Sequence, residues 1–260
     1  MSSVPEKFVE TAIAAADAAR LVTARYFRAR LDIVSKHDHS PVTIADHETE
    51  QIVKNLILDR HPSHSFLGEE SGVTNNEDEW CWVIDPIDGT KSFATGNPTF
   101  GTLVALLHHD QPVIGVIDHM ALDERWIGIK SQGTTRNGQP CTTSKVSQLT
   151  AASIYTTTLD MFSDQTLEQF NRLSRACQFR VFGGDCYGYS LLSSGFTELV
   201  CEALMNTHDY MALIPVIEGA GGIITDWQGN ILTSDSNGQI IAAANQNLHR
   251  DALAKLNHNG

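Results

Sequence analysis

From Pro5 to Arg30 the apolar positions Phe8, Ala12, Ala15, Ala19, Val22 and Phe27 recur at near-helical spacing, with further alanines between them, and predict an amphipathic helix. A polar turn over Ser35–Pro41 follows. Ile44–Asp59 reads as a second helix, with Ile52, Val53, Leu56 and Ile57 on one face and His61-Pro62 as its stop. The rhythm then shortens. Trp80–Ile84, Thr102–Leu107, Val113–Ile117 and Arg125–Ile129 are runs rich in β-branched and aromatic residues and predict strands, with turn chemistry at residues 109–112 and 136–140.

Beyond residue 150 strands and helices alternate. The pattern predicts strand Ser153–Thr157, helix Ser163–Cys177, a short strand near Arg180, helix Asp185–Ser194, strand Glu198–Cys201 and helix Asp209–Ala220. Strands Gly222–Thr225 and Ile240–Ala243 and a helix near Leu248–Leu256 close it. The first half therefore predicts two helices on an antiparallel sheet and the second an α/β lobe, with a boundary near Ser144–Ala151 that divides the chain into lobes 1–147 and 148–260.

A chain of 260 residues, 42% apolar and 19% charged, holds a large core without disulfides or structural metals. Its formal net charge of −13 repels nucleic acid and anionic lipid, so neither is an expected partner. A phosphate-bearing substrate must then be neutralised by something other than surface basicity, and a carboxylate-held divalent cation does this. The five cysteines have no C-x-x-C spacing and predict a reducing, cytoplasmic setting. The apolar stretch from Phe8 to Phe27 is interrupted by Glu10, Asp17, Arg20 and Arg25, unlike a signal peptide, and no apolar run has the length of a membrane span.

The densest chemical signal is Asp85-Pro86-Ile87-Asp88-Gly89-Thr90, at the end of the strand that begins at Trp80. Two aspartates three apart, held by proline, can aim at one point, with the Ile87 carbonyl as a further oxygen ligand for a hard cation. The Gly89 and Thr90 N–H groups offer a seat for phosphate. The bland alternative is that Asp85 and Asp88 merely shape a turn. Three other elements have equally ordinary readings when taken alone. Gly68-Glu69-Glu70-Ser71-Gly72 reads as a solvated loop, Asp46 after Thr43 as an acid favoured at a helix start, and Asp209 after His208 as a helix cap.

Together and in this order, the four elements resemble the inositol monophosphatase family of Mg²⁺-dependent, lithium-sensitive phosphatases, and the resemblance extends to Glu218-Gly-Ala-Gly-Gly222 and nearly the whole chain. It implies a layered αβαβα sandwich, a homodimer and two or three Mg²⁺ ions per site. It also implies metal binding by Glu69, Asp85, Asp88, Asp209 and the Ile87 carbonyl, with Glu69, Thr90 and Asp46 as catalytic residues around a metal-activated water and Glu70 in the outer shell. The substrate is a small phosphate monoester.

The substrate side departs from the inositol enzymes. His208-Asp209-Tyr-Met-Ala-Leu-Ile-Pro215 stands where they usually begin with Trp-Asp, and Phe182-Gly183-Gly184-Asp185 places an acid where they carry a small neutral residue. Both features resemble the histidinol-phosphate phosphatase branch, and Glu202 matches a substrate-binding acid of the family. The implied substrate residues are Asp88, Gly89, Thr90, Gly183, Gly184, Asp185, Glu202, Asp209 and Arg180. The implied reaction is hydrolysis of L-histidinol phosphate to L-histidinol and phosphate in histidine biosynthesis, with Asp185 and Glu202 suited to a cationic leaving group.

Rival readings are an inositol 1-monophosphatase or sugar phosphatase of the same family, and a catalytically idle, metal-modulated binding protein. At residue level, Asp185 is otherwise a helix N-cap, Glu202 an exposed strand-end acid and Arg180 part of an interface ion pair. Cys186 reads as a small core residue, Glu77-Asp78-Glu79 as a solvated acidic turn, and His37 and His39 as loop residues.

Overall fold

The computed structural model describes residues 4–29, 34–35, 41–42, 44–74 and 78–257. Arg30, His37, His39, Thr43 and Glu77 lie outside the described residues. In the first half, α1 (Glu6–Tyr26), the paired β1 (Val34–Ser35) and β2 (Pro41–Val42), and α2 (Ile44–Arg60) lead into β3 (Ser65–Gly68), β4 (Gly72–Thr74) and β5 (Trp80–Asp88). Then come α3 (Thr90–Thr95), β6 (Gly101–His108), β7 (Gln111–His119), β8 (Glu124–Ile129), β9 (Gly133–Arg136) and β10 (Gln139–Pro140). The second half contains β11 (Ser153–Thr156), α4 (Asp164–Ser174), β12 (Phe179–Phe182), α5 (Cys186–Ser193), β13 (Leu199–Glu202), α6 (Thr207–Tyr210), α7 (Leu213–Gly219), β14 (Ile223–Asp226), β15 (Ile240–Ala243) and α8 (Gln246–Asn257).

The strands β10-β9-β8-β7-β6-β5-β3-β4 form one eight-stranded sheet, antiparallel except for the parallel pair β3 and β5. Two of its hairpins turn on two residues with positive φ, His109-Asp110 (49° and 60°) and Asn137-Gly138 (48° and 77°). That geometry matches the twist of the flanking strands. A second sheet, β12-β11-β13-β15-β14, pairs β11 in parallel with both neighbours and the remaining strands antiparallel.

Alternation along β5 and β6 sends side chains into two different cores. Trp82, Ile84, Val104 and Leu106 pack with Phe8, Ala12, Ala15 and Ala19 of α1, whose small side chains allow close approach, and with Val53 and Ile57 of α2. Val83, Leu103 and Ala105 face the other way, against Tyr189 and Leu192 of α5 and Leu213, Val216 and Ile217 of α7. The same middle cluster takes Val200 and Ala242 from the second sheet. That sheet's far face, with Leu199, Cys201, Ile241 and Ala243, is covered by Phe170 and Leu173 of α4 and Leu248, Ala252 and Leu256 of α8. The layers run α-β-α-β-α, as the resemblance implies. Asp118 ties the outer helix to the sheet: its buried carboxylate pairs with Arg20 of α1 at 2.8 Å and with Arg125 of β8. No helix among the described residues is long and apolar enough to cross a membrane.

The predicted helix Asp209–Ala220 is two helices, α6 and α7, with residues 211–212 between them. Pro215 has no N–H to offer the Met211 carbonyl four residues back, and its ring crowds that carbonyl, so one continuous helix is disfavoured. Strands β1, β2, β3, β4, β9 and β10 and helix α3 are additional to the predicted elements.

His119 is fully buried between the first sheet and α5. Its Nδ1 lies 2.9 Å from the Phe100 carbonyl, so Nδ1 carries the proton and donates, and Nε2 then accepts from the Ser190 hydroxyl at 2.9 Å. Burial lowers its pKa from 6.5 to about 4. The folded state thus binds fewer protons than the unfolded state below pH 6.5, and stability is lost as pH falls through 6.5 towards 4. Between pH 7 and pH 5 this one group should remove ~2 kcal/mol of stability. Chemical denaturation at both pH values checks it: His119→Gln should show a drop smaller than wild type by about that amount, and equal drops would refute the assignment.

Candidate active site

Strand β5 carries the acids. In a regular strand Asp85 and Asp88, an odd number of residues apart, point to opposite faces. Here the register against β6 shifts between them, with Asp85 opposite Leu103 and Asp88 opposite Gly101, and the bulge re-aims them. Carboxylate oxygens of Asp85, Asp88 and Asp209 all lie within 4.8 Å of one another. A second set, Glu69, Asp85 and His208, converges equally closely, so Asp85 belongs to both.

Local bonds hold each member. Asp85 Oδ1 accepts from Ile87 N at 3.0 Å, and the Pro86 carbonyl accepts from Thr102 Oγ1 at 2.8 Å. Asp88 Oδ2 accepts from Cys186 N at 2.8 Å, the first N–H of α5. Thr90 opens α3, and its Oγ1 donates to the Ile87 carbonyl at 3.2 Å. Asp209 does cap α6, since its Oδ2 accepts from Asn206 N, but the same carboxylate also reaches Asp85 and Asp88. Glu69 N donates to the Ile84 carbonyl at 3.3 Å, keeping the Gly-Glu-Glu turn against the end of β5.

Electrostatically, this arrangement needs a counter-charge. Burial, then the charges of Glu69, Asp88, Asp209 and Asp46, push the Asp85 carboxyl well above its usual range. Asp88 is pushed the same way by burial and by Asp185 and Asp209. The first donor set is all oxygen, which is the chemistry of a hard divalent cation, and its members stop repelling one another when one is bound. Burial, together with Asp88, also raises the Cys186 thiol, which is therefore no nucleophile.

Asp88 and Asp209 open onto a cleft of about 520 Å³, together with Asp185, Glu202, Gly183 and Lys91. Asp185 is no ordinary N-cap: its side chain makes no cap bond and instead accepts from Ser92 Oγ and, at 3.0 Å, from Thr99 Oγ1. Its backbone is held at a φ of 45°. Gly89 sits against it at φ 81°, where an added Cβ would lie 2.7 Å from the Asp185 carboxyl carbon, so glycine is required by both conformation and space. Glu202 is not exposed. It is buried at the end of β13, accepts from Thr157 N and Oγ1 and from the Tyr189 hydroxyl, and burial raises its carboxyl to about 7. Met161, Leu204 and Met205 line the same cleft.

Asp46 is buried in the first turn of α2. Arg180 is not brought to the cleft. Its position on β12, the edge strand paired with β11, leaves it exposed, and Gly184 is buried behind the cleft against Tyr155. Glu50 was missed. Its oxygens accept from Glu70 N and Ser71 N, both at 2.7 Å, so it shapes the turn that carries Glu69. A signal existed: Asp46, Thr49 and Glu50 extend the buried stripe of Val53 and Ile57, and acids on a core-facing stripe need partners.

The family model described as the inositol monophosphatase family matches residues 4–260. The chain belongs to this family. Among curated proteins, the chloroplastic bifunctional phosphatase IMPL2 of Arabidopsis thaliana is 42% identical over 96% of this chain and 75% of its own length. A histidinol-phosphatase of Chlorobaculum parvum is 33% identical over 95% and 96%. A solved inositol monophosphatase from Zymomonas mobilis superposes with a TM-score of 0.91 at 37% identity, covering 99% of this chain and all of that one. The chain is thus an inositol monophosphatase family phosphatase with acidic groups able to hold metal, and its relatives carry both histidinol-phosphatase and inositol phosphatase names.

Proposed function

We propose that the chain is a Mg²⁺-dependent phosphomonoesterase that hydrolyses L-histidinol phosphate to L-histidinol and phosphate. The observation that carries the substrate is the pairing of two acids, Asp185 and Glu202, with the thioether and aliphatic rim of Met161, Leu204 and Met205 in one cleft beside Asp88 and Asp209. A leaving group with an ammonium, an imidazole and an aliphatic stem satisfies the acids and the rim together. A neutral polyol leaves both acids without a counter-charge.

In this reading Glu69, Asp85, Asp88, Asp209 and the Ile87 carbonyl hold the cations, which when bound supply Lewis-acid stabilisation of charge developing on the phosphoryl oxygens. The N–H groups of Gly89 and Thr90 receive the phosphate. Thr90 Oγ1, with its own proton given to the Ile87 carbonyl, accepts a hydrogen bond from the attacking water, and Glu69 takes the proton the water gives up. Asp46 and Glu70 orient this arrangement from behind.

Purified protein assayed with Mg²⁺ and with chelator against histidinol phosphate and inositol 1-phosphate tests the reading. Histidinol phosphate should be favoured in kcat/KM by ~100-fold. Equal turnover, or a preference for inositol 1-phosphate, would remove the substrate assignment in favour of the inositol reading, which the similarity to solved inositol monophosphatases supports.

A further inference from the structure

We propose that His208 supplies an imidazole nitrogen to a divalent cation shared with Glu69 and Asp85, and that this position takes a borderline ion such as Co²⁺ or Zn²⁺ more readily than Mg²⁺. The inference rests on the metal-dependent reading above and assigns a ligand beyond its oxygen set.

Three Lewis bases from three separate elements converge here. Glu69 comes from the turn after β3, Asp85 from the end of β5 and His208 from α6, with one donor atom of each within 4.8 Å of the other two. The imidazole is largely enclosed, its side chain 15% exposed. Its perch is built. The Asn206–Asp209 capping box starts α6, Thr207 Oγ1 donates to the Ser234 carbonyl at 3.0 Å, and the buried Tyr210 donates to the Thr233 carbonyl at 2.7 Å. Such anchoring on both sides of residue 208 fixes the backbone from which the ring projects.

The simpler reading is an ion pair, since His208 Nε2 lies 3.3 Å from Asp209 Oδ1. That pair accounts for one neighbour. It does not explain why a ring nitrogen also stands among Glu69 and Asp85, whereas a shared cation accounts for the convergence of all three. A groove lined by Glu69, His208 and Leu204 leads to the position from solvent and gives an ion a way in. The nitrogen decides the preference. Mg²⁺ favours oxygen and gives up water reluctantly, while imidazole raises affinity for later first-row ions. The neighbouring set of Asp85, Asp88 and Asp209 remains all oxygen and suits Mg²⁺.

Calorimetric titration of tag-free, chelator-stripped protein with Co²⁺ and, separately, Mg²⁺ tests this on wild type, His208→Phe and His208→Gln. Phenylalanine keeps ring volume without a donor, and glutamine keeps polarity. Both variants should weaken Co²⁺ binding by ~10- to 100-fold and Mg²⁺ binding by less than ~3-fold. The imidazole ¹⁵N resonance of His208 should also shift when Zn²⁺ is added to the wild type. Unchanged Co²⁺ affinity, or equal loss of both ions as a merely structural role would produce, overturns the assignment. Mg²⁺-dependent phosphate release by the same wild-type preparation is read separately: its absence defeats the phosphatase reading, while the Co²⁺-to-Mg²⁺ ratio addresses His208 alone.

Discussion

Replacing Asp88 by asparagine is expected to slow phosphate release at saturating substrate by ~10³-fold or more, with the fold intact. Asp88 converges with Asp85 and Asp209, and amidation removes a negative charge from the one place among the described residues where three carboxylates meet so closely. Even groups one layer removed from a metal are worth about 10- to 100-fold. Stability should not suffer, because Asp88 is a strained acid: burial, Asp185 and Asp209 all oppose its ionisation, and asparagine relieves them while its oxygen can still accept from Cys186 N. Phosphate release with Mg²⁺, alongside circular dichroism, measures both. A folded variant within tenfold of wild type would mean that the three-acid point is not where the reaction occurs. A wild type as inert as the variant would return the chain to the binding-protein reading.

Asp185→Ala should divide substrates instead of abolishing turnover. For histidinol phosphate kcat/KM is expected to fall by ~10²- to 10³-fold, the range for truncating one partner of a largely desolvated, hydrogen-bonded charge pair. Phenyl phosphate, which has no cation to offer, should lose less than ~5-fold. The argument is positional. Asp185 lies on the cleft beside Asp88, held by Ser92 and Thr99, and is not among the groups whose donor atoms converge on the metal positions. Comparable losses on both esters would show that Asp185 serves the reacting end.

Much of this was legible from residue order, and the exceptions have physical causes. The strands around Val83, Val104 and Val116 are apolar on both faces, and they emerged because β-branched runs between turns mark buried strands whatever lies on either side. The short β3 and β4 were illegible: four and three residues with glycines carry no period, and only pairing with β5 makes them strands. Asp85 and Asp88 were found through a motif, yet their convergence depends on a bulge that no spacing rule announces. Asp185 and Glu202 had innocuous local readings as a cap and a surface acid. Both fail because the partners that claim them, Ser92, Thr99, Thr157 and Tyr189, come from distant segments. Arg180 is the opposite case, a residue that edge-strand geometry leaves exposed and outside the cleft lining, as its reading as part of an interface ion pair would have it.

Helix α5 links the two ends of the cleft. Its first N–H grips Asp88, the residue before it is Asp185, and Tyr189, one turn along, grips Glu202. Three residues of helix span about 4.5 Å and do not stretch. If the ester proposed above is the substrate, the gap between its phosphorus atom and its cationic tail is gauged by a rigid ruler, and an ester one methylene too long or too short would meet one anchor only by giving up the other.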